Sequence, residues 1–487
     1  MSGVLAFFSD FVVAILAVGA TLLAIFAASS LREKETRAAA RGSIATLILL
    51  AVMAVAILLF RWIPDARLGA GVLGIALVLG ALYLLAPARQ TAKGTRPPIR
   101  GEVRRFDERD NIWARARTLH PNREDLPEYQ SYYRAHPGRR AFDDRTFTHA
   151  VGERGCMDKA NFHNKLVGGV GLNPFLTRLG APEMATPAVK PPDEKYFHAP
   201  DPERLTLLVK GLCRRLGADV VGVADLDPSW VYSHRGQIHR GDWEDWGKEI
   251  SLPHPRVVVF GMGMDPELVR TAPYSPCDVE VYQQYVKAAV VSVELAHVLA
   301  AMGYSAKAHH LRGQDLLMVP AAVDAGLGEL GRCGGVVTRR FGTRIRLGAV
   351  TTDAPLVADE PVALGVAEFC DRCQRCARQC PSGAISRLER QTVNGSLRWA
   401  VDAEKCYEYW MKSGTHCSLC LASCPWSHGD TFVHRALKAA AIHFRRLHPL
   451  MVWADDVFYG SKINPRLGPE WIDFRRPRRP PATADRP

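Results

Sequence analysis

Eight of the chain's twelve cysteines fall between 370 and 424. Residues 370–381 read CDRCQRCARQCP, with gaps of two, two and three residues and a closing proline; a second run, CSLCLASCP, covers 417–425. Thiolates in this pattern suit iron. Two-residue gaps let successive side chains of one tight loop reach neighbouring irons of a cubane, and in two-cluster ferredoxins the fourth cysteine of each run ligates the other cluster. The spacing therefore assigns Cys370, Cys373, Cys376 and Cys424 to one [4Fe–4S] cluster, and Cys380, Cys406, Cys417 and Cys420 to a second. Zinc sites use cysteine pairs, and a disulfide framework would spread its cysteines through a small secreted domain. The second set is irregular: Cys406 lies ahead of Cys417 by the stretch YEYWMKSGTH, 407–416, which must loop out. Cys156, Cys213, Cys277 and Cys333 stand alone and read as buried or loop thiols.

The elements that must carry these ligands come from 487 residues, enough for two or three domains. The formal net charge of +12 is dispersed, partly beside apolar segments and partly in RRPRRPP at 475–481. No single basic stripe forms, so no nucleic-acid partner is expected. Three apolar stretches open the chain, at 11–31, 44–60 and 68–86, each long enough to cross a bilayer, which takes ~20 residues. A signal peptide needs a basic leading segment and a shorter apolar one, but no Lys or Arg precedes Arg32. Three transmembrane helices are expected over residues 1–88. Basic residues crowd the connection at 32–42 and the stretch after the third segment. The positive-inside rule then puts the N-terminus outside and the large domain on the cytoplasmic side of the inner membrane. The RRF at 104–106 follows the apolar segments and so is not an export signal.

Residues 89–200, rich in Arg, Pro, Asp and His, read as a linker plus an irregular, partly helical segment. Helical spacing in ERLTLLVKGLCRRLGA, strand-like DVVGVADL and PRVVVFGMGM, a long helix over 281–304, and RIRLGAVTTD point to an α/β (α+β) domain over 201–360. The cluster domain spans 361–430, and 431–487 form a C-terminal extension with a disordered basic tail.

Ordered motifs carry this further. FDERDNIWAR (106–115), LDPSWVYS (226–233), AAVDAGLGELGR (321–332), FGTRIRLGAVTTDAPL (341–356), GVAEFCDRC (365–373) and HPLMVWADDVFYGSKIN (448–464) together resemble the corrinoid-dependent reductive dehalogenases, over nearly everything outside the anchor. The resemblance implies a nitroreductase-like domain binding base-off cobalamin, two [4Fe–4S] clusters that feed it, and removal of halogen from an organohalide. It also implies a tyrosine proton donor at Tyr285, with Tyr282 as a register-shifted rival, and a partner arginine at Arg346 that stabilises phenolate. Trp410 would line the substrate pocket. A further polar pocket group is expected among His309, His310, Arg312 and Gln314. No DxHxxG motif supplies a histidine below cobalt. The implied partners are the organohalide, the lipid bilayer and an electron donor of quinol, ferredoxin or flavodoxin type. Two alternatives remain: an epoxyqueuosine-reductase-like cobalamin/iron–sulfur enzyme, and a membrane electron-transfer protein with no substrate of its own.

Overall fold

The computed structural model describes residues 2–63, 66–86, 101–117, 125–147, 172–189, 201–238 and 242–473, with Ile99 and Arg123 between them. Cys156, most of the linker at 87–100 and the tail beyond 473 lie outside the described residues. The chain forms two compact units. One comprises residues 1–91, 368–373 and 428–462, the other 92–367, 374–427 and 463–487.

The first unit is built on α1 (Ser2–Arg32) and α2 (Thr36–Trp62). Both are runs of Leu, Val, Ile and Ala with no interior proline. They pair along small residues: Ala20, Ala27, Ser30, Ala38 and Ala39 are buried, and a Cβ on Gly42 would meet Ala27 and Phe26 at 3.1 Å. Small residues let apolar helices approach without a hydrophobic drive between them. Two helices, Ser9–Arg32 and Thr36–Trp62, are long and apolar enough to cross a membrane. Two crossings, and not the expected three, are shown among the described residues. The third segment is helical as α3 (Ala66–Leu84, 19 residues), with Val72–Leu84 as its described apolar part. Helices Phe432–His443 and His448–Tyr459 complete this unit. Arg446 donates to the Tyr83 carbonyl near the end of α3 (3.1 Å).

The second unit holds a four-stranded sheet in the order β1 (Val220–Asp225), β2 (Arg256–Gly263), β6 (Ile345–Thr352), β3 (Ala306–His309). Strands alternating with helices in sequence suggest a parallel layer, yet every pairing is antiparallel; the architecture is α+β. The predicted helix over 281–304 is there but starts earlier, as Ser275–Ala301. DLLMVP, at 315–320, leads into the helix Met318–Asp324. The long helix lies on the sheet around Phe260, Val258, Ala288, Leu295, Ala308 and Val350.

How closely it lies is set at β6. A Cβ at Gly348 would come within 2.7 Å of the Phe260 ring and 3.1 Å of the Ala288 carbonyl. Residues two apart on a strand share a face, so Arg346 projects on the same side as Gly348, toward the helix segment just before Ala288. Glu108, from the FDERDNIWAR motif, accepts the backbone N–H groups of Gly236 and Gln237 (2.9 and 3.1 Å). Burial pushes its carboxyl up to about 7.

Replacing Gly348 by alanine should lift the helix from β6. Overpacking of this kind costs about 1–3 kcal/mol, read as a lowered Tm in detergent. A Gly348→Ala protein with unchanged Tm would show that the close approach is dispensable.

Candidate active site and cluster ligands

The helix Ser275–Ala301 carries Asp278, Tyr282 and Tyr285 at spacings of four and three, hence on one face. Arg346 on β6 sits with its guanidinium carbon 5.2 Å from the Tyr285 ring centroid. Its Nε is buried with no hydrogen-bond partner, and its Nη1 makes only a long contact to its neighbour's carbonyl, Ile345 O at 3.4 Å. Arg344, two residues earlier, is spoken for: it is fully buried and donates to Ser427 O (3.0 Å) and Met264 O (2.6 Å). Of the two arginines in RIRL, one holds the fold and the other faces the tyrosine. No hydrogen bond to the Tyr285 hydroxyl occurs among the described residues.

The loop 407–416 has a structural purpose. Residues 403–413 form a helix, Ala403–Ser413, that ends at Gly414 in a left-handed conformation (φ 69°). The chain then turns back, and the His416 backbone N–H donates to Asp278 (3.0 Å) while Thr415 Oγ1 donates to Pro273 O (2.6 Å). The His416 ring bridges Asp278 and Tyr282, with Nδ1 3.0 Å from Asp278 Oδ2 and Nε2 3.2 Å from the Tyr282 hydroxyl. Trp410 packs edge-on against His416 at 4.7 Å and beside Trp113 at 5.6 Å. Tyr282 meets Tyr285 edge-on at 6.3 Å. Tyr285, Arg346 and Trp410, separate in sequence, thus fall in one neighbourhood. His416 and Asp278 were not foreseen there. The signal that could have found Asp278 is its i, i+4, i+7 relation to the two tyrosines.

The polar candidates before Val319–Pro320 divide. His309 is committed to the fold, with Nε2 2.9 Å from Thr351 Oγ1 and Nδ1 accepting the Asp315 N–H; burial pushes its pKa down to about 3. Gln314 reaches the Tyr232 hydroxyl at 3.4 Å. Arg312 is buried. His310 Nε2 is buried without a partner, and burial pushes this ring down to about 4. Leu311, next in sequence, packs in the cluster that includes Tyr282 and Tyr285.

Four thiols of the second set come together. Burial first, then the proximity of Cys406 and Cys380, pushes Cys417 up to about 12. Burial and the proximity of Cys380 push Cys406 up to about 11. Cys420 is raised well above its ordinary value by burial, then by Cys333, Cys417, Cys406 and Cys380. Burial and neighbouring thiols thus disfavour ionisation of Cys406, Cys417 and Cys420, and a bound cation would reverse this. The donors are sulfur alone, as an iron–sulfur cube requires. Among the described residues no three His, Cys, Asp or Glu close to single-ion spacing, and a cube holds its ligands further apart than one ion does.

The helical turn Arg375–Arg378, carrying Cys376, packs against Leu419–Ala422, carrying Cys420. Gln374, Cys417 and Ser418 have positive φ (52°, 58° and 59°). Such backbone costs of order 1–3 kcal/mol per residue and persists only where the surroundings over-determine it. Cys370 and Cys373 lie on the helix Val366–Cys373; in the first unit, the neighbouring Phe369 ring meets His448 edge-on at 5.2 Å. Of the isolated cysteines, Cys213 and Cys277 are core residues, and Cys333 stands beside Cys420.

Known proteins share parts of this chain's sequence and fold. Residues 369–428 match the 4Fe-4S dicluster domain. Tetrachloroethene reductive dehalogenase of Sulfurospirillum multivorans is 34% identical over 307 residues, covering 56% of this chain and 60% of the relative. The enzyme of the same name from Desulfitobacterium hafniense is 33% identical over 282 residues, covering 49% and 51%. The fold matches that of a reductive dehalogenase whose structure suggests a mechanism for B12-dependent dehalogenation. That match has a TM-score of 0.61 and 24% identity, and covers 81% of this chain and 54% of the other. In sequence the chain is similar to reductive dehalogenases, and its fold is that of a solved one. It spans about half to three fifths of the length of these curated relatives.

Cys406→Ser tests the irregular ligand set. Iron in the anaerobically loaded protein should fall from about eight to about four per chain. Full iron content in this variant would remove Cys406 from the set.

Proposed function

We propose that the chain is a membrane-anchored reductive dehalogenase, replacing the halogen of an organohalide by hydrogen with two electrons and one proton. The reading rests above all on Arg346 held over the Tyr285 ring with a buried nitrogen unpartnered, in the unit that also gathers Cys380, Cys406, Cys417 and Cys420. A corrinoid held in a nitroreductase-like domain would supply the cleavage of the carbon–halogen bond. The protein's share is to orient and to move a proton. Tyr285 gives its phenolic proton to the carbon that loses halide, and the adjacent guanidinium stabilises the phenolate left behind. The free Arg346 Nε and the unbonded Tyr285 hydroxyl are the groups that fit a bound cofactor and substrate. Trp410, fixed between His416 and Trp113, walls the pocket. Cys370, Cys373, Cys376 and Cys424, and Cys380, Cys406, Cys417 and Cys420, would hold two [4Fe–4S] clusters, which would supply electrons singly.

Anchoring follows from α1 and α2. Only 11% and 6% of their most apolar windows are buried, so they present to their surroundings a surface that water would penalise. The α1–α2 connection, with its basic residues, lies at the end where Glu33 meets Thr431 and His434. The positive-inside rule makes that end cytoplasmic, and α3, 19 residues long, brings the chain back to it at Tyr83, whose carbonyl Arg446 reaches.

Methyl-viologen-driven halide release should fall ~10²-fold or more in Tyr285→Phe, as loss of a positioned proton donor does, while iron and corrinoid contents stay unchanged. Undiminished halide release would remove Tyr285 from the mechanism. A C-terminal green fluorescent protein fusion should fluoresce and a C-terminal alkaline phosphatase fusion stay inactive; the reverse pattern overturns the cytoplasmic assignment.

A further inference from the structure

The first unit contains ionisable groups that neither anchoring nor cluster ligation uses. Glu33, in the connection between α1 and α2, has a carboxylate 2.8 Å from His434 Nδ1. His434 Nε2 lies 2.7 Å from the Tyr459 hydroxyl. Tyr459 stacks on His428 at 4.0 Å, and His428 Nε2 lies 2.6 Å from Asp455. The His434 and Glu33 side chains are only 3% and 10% exposed. Burial would raise the Glu33 carboxyl, but His434 and Thr431 outweigh it and hold the group below its ordinary value. Ionisable groups of a membrane protein that are buried and paired with one another can mark ion or proton paths.

Beside this line runs an apolar groove of about 500 Å³, within the ~300–1,000 Å³ usual for small-molecule sites. Ile44, Ala45 and Ile48 of α2 form one wall, and Trp453, Val457 and Phe458 the other. Arg41 also lines the groove and donates to the Val457 carbonyl. Phe26 touches Phe458 at 4.9 Å and Tyr459 at 6.3 Å, so the groove and the acid–histidine line share one aromatic partition. The helix His448–Tyr459 joins the groove to iron. Trp453 is about 8 Å along the axis from His448 at 1.5 Å per residue, and His448 meets Phe369, next to Cys370.

We propose that this groove binds an isoprenoid quinone and exchanges electrons between the membrane quinone pool and the cluster that Cys370 and Cys373 ligate. The inference rests on the iron–sulfur reading above. An isoprenoid tail suits a groove walled by a membrane helix, and a quinone ring needs both a hydrogen-bonding end and proton exchange. In the oxidative direction the two O–H bonds of the quinol break. Its two electrons pass one at a time to the cluster, and its two protons pass to the Tyr459–His434–Glu33 line. The reverse reaction returns both electrons and both protons to the quinone.

The test is run in reverse, so that no driving force need be supplied. Iron- and sulfide-loaded full-length protein in nanodiscs is photoreduced, then mixed with menaquinone-4. The iron–sulfur absorption should return as one quinol forms for every two electrons lost. Quinone should also quench Trp453, which is 60% exposed. Glu33→Gln and His434→Gln should slow reoxidation by quinone by about tenfold or more. Ala45→Phe, which fills the groove, should weaken quenching by a similar factor of about ten. Reoxidation by benzyl viologen should not change in any variant. Wild-type quinone rates in both proton-line variants, or quenching by brominated phospholipid but not by quinone, would overturn the proposal. Quinone quenching in a chain that takes up no iron would uphold the groove and sink the cluster reading instead.

Discussion

The distance between the helix Ser275–Ala301 and strand β6 governs what the second unit can do. At Gly348 there is no room for a side chain: the Phe260 ring and the Ala288 carbonyl occupy the space a Cβ would need. This contact brings Tyr285, three residues before Ala288, within reach of Arg346, two residues before Gly348. The same helix begins with Asp278, which takes the His416 backbone N–H and ring. The Ala403–Ser413 helix and its aromatic residues are thereby drawn against Tyr282. One close packing contact and one buried carboxylate organise residues from three distant parts of the sequence.

Electrostatics then separates structural groups from available ones. Arg344 is buried and fully used, whereas Arg346 keeps a buried nitrogen open. A buried unpaired donor costs roughly 1–3 kcal/mol, a cost a bound ligand would remove. The crowded thiols show the same logic with opposite sign. Buried together, Cys406, Cys417 and Cys420 resist ionisation, and an iron–sulfur core relieves the conflict by supplying positive charge to thiolates. The positive-φ residues Gln374, Cys417 and Ser418 add backbone strain that metal ligation would hold in place.

In the first unit, small residues bring α1 and α2 together, and the turn between them carries Glu33. The buried acid–histidine–tyrosine line there is more than a helical hairpin needs to stay paired. It lies in the unit to which Cys370 and Cys373 belong, so the ionisable line and two of the proposed iron ligands share one compact body.

The sequence alone determined the cysteine spacing, the two strongest apolar helices and most strand positions. Each depends on local order: gaps between ligands, runs of apolar residues, alternation along a strand. It also singled out Tyr285, Arg346 and Trp410, through ordered motifs rather than visible chemistry. Local order did not reveal that the sheet is antiparallel throughout, because strand direction depends on connections that periodicity does not encode. Nor did it reveal that 407–416 folds back onto Asp278. Which of two arginines in RIRL is free was decided by tertiary packing, since Ser427 and Met264 lie about eighty residues away on either side and select Arg344 by burying it. The neighbourhood of Tyr285, Arg346 and His416 exists only because a glycine lets one helix settle onto one strand.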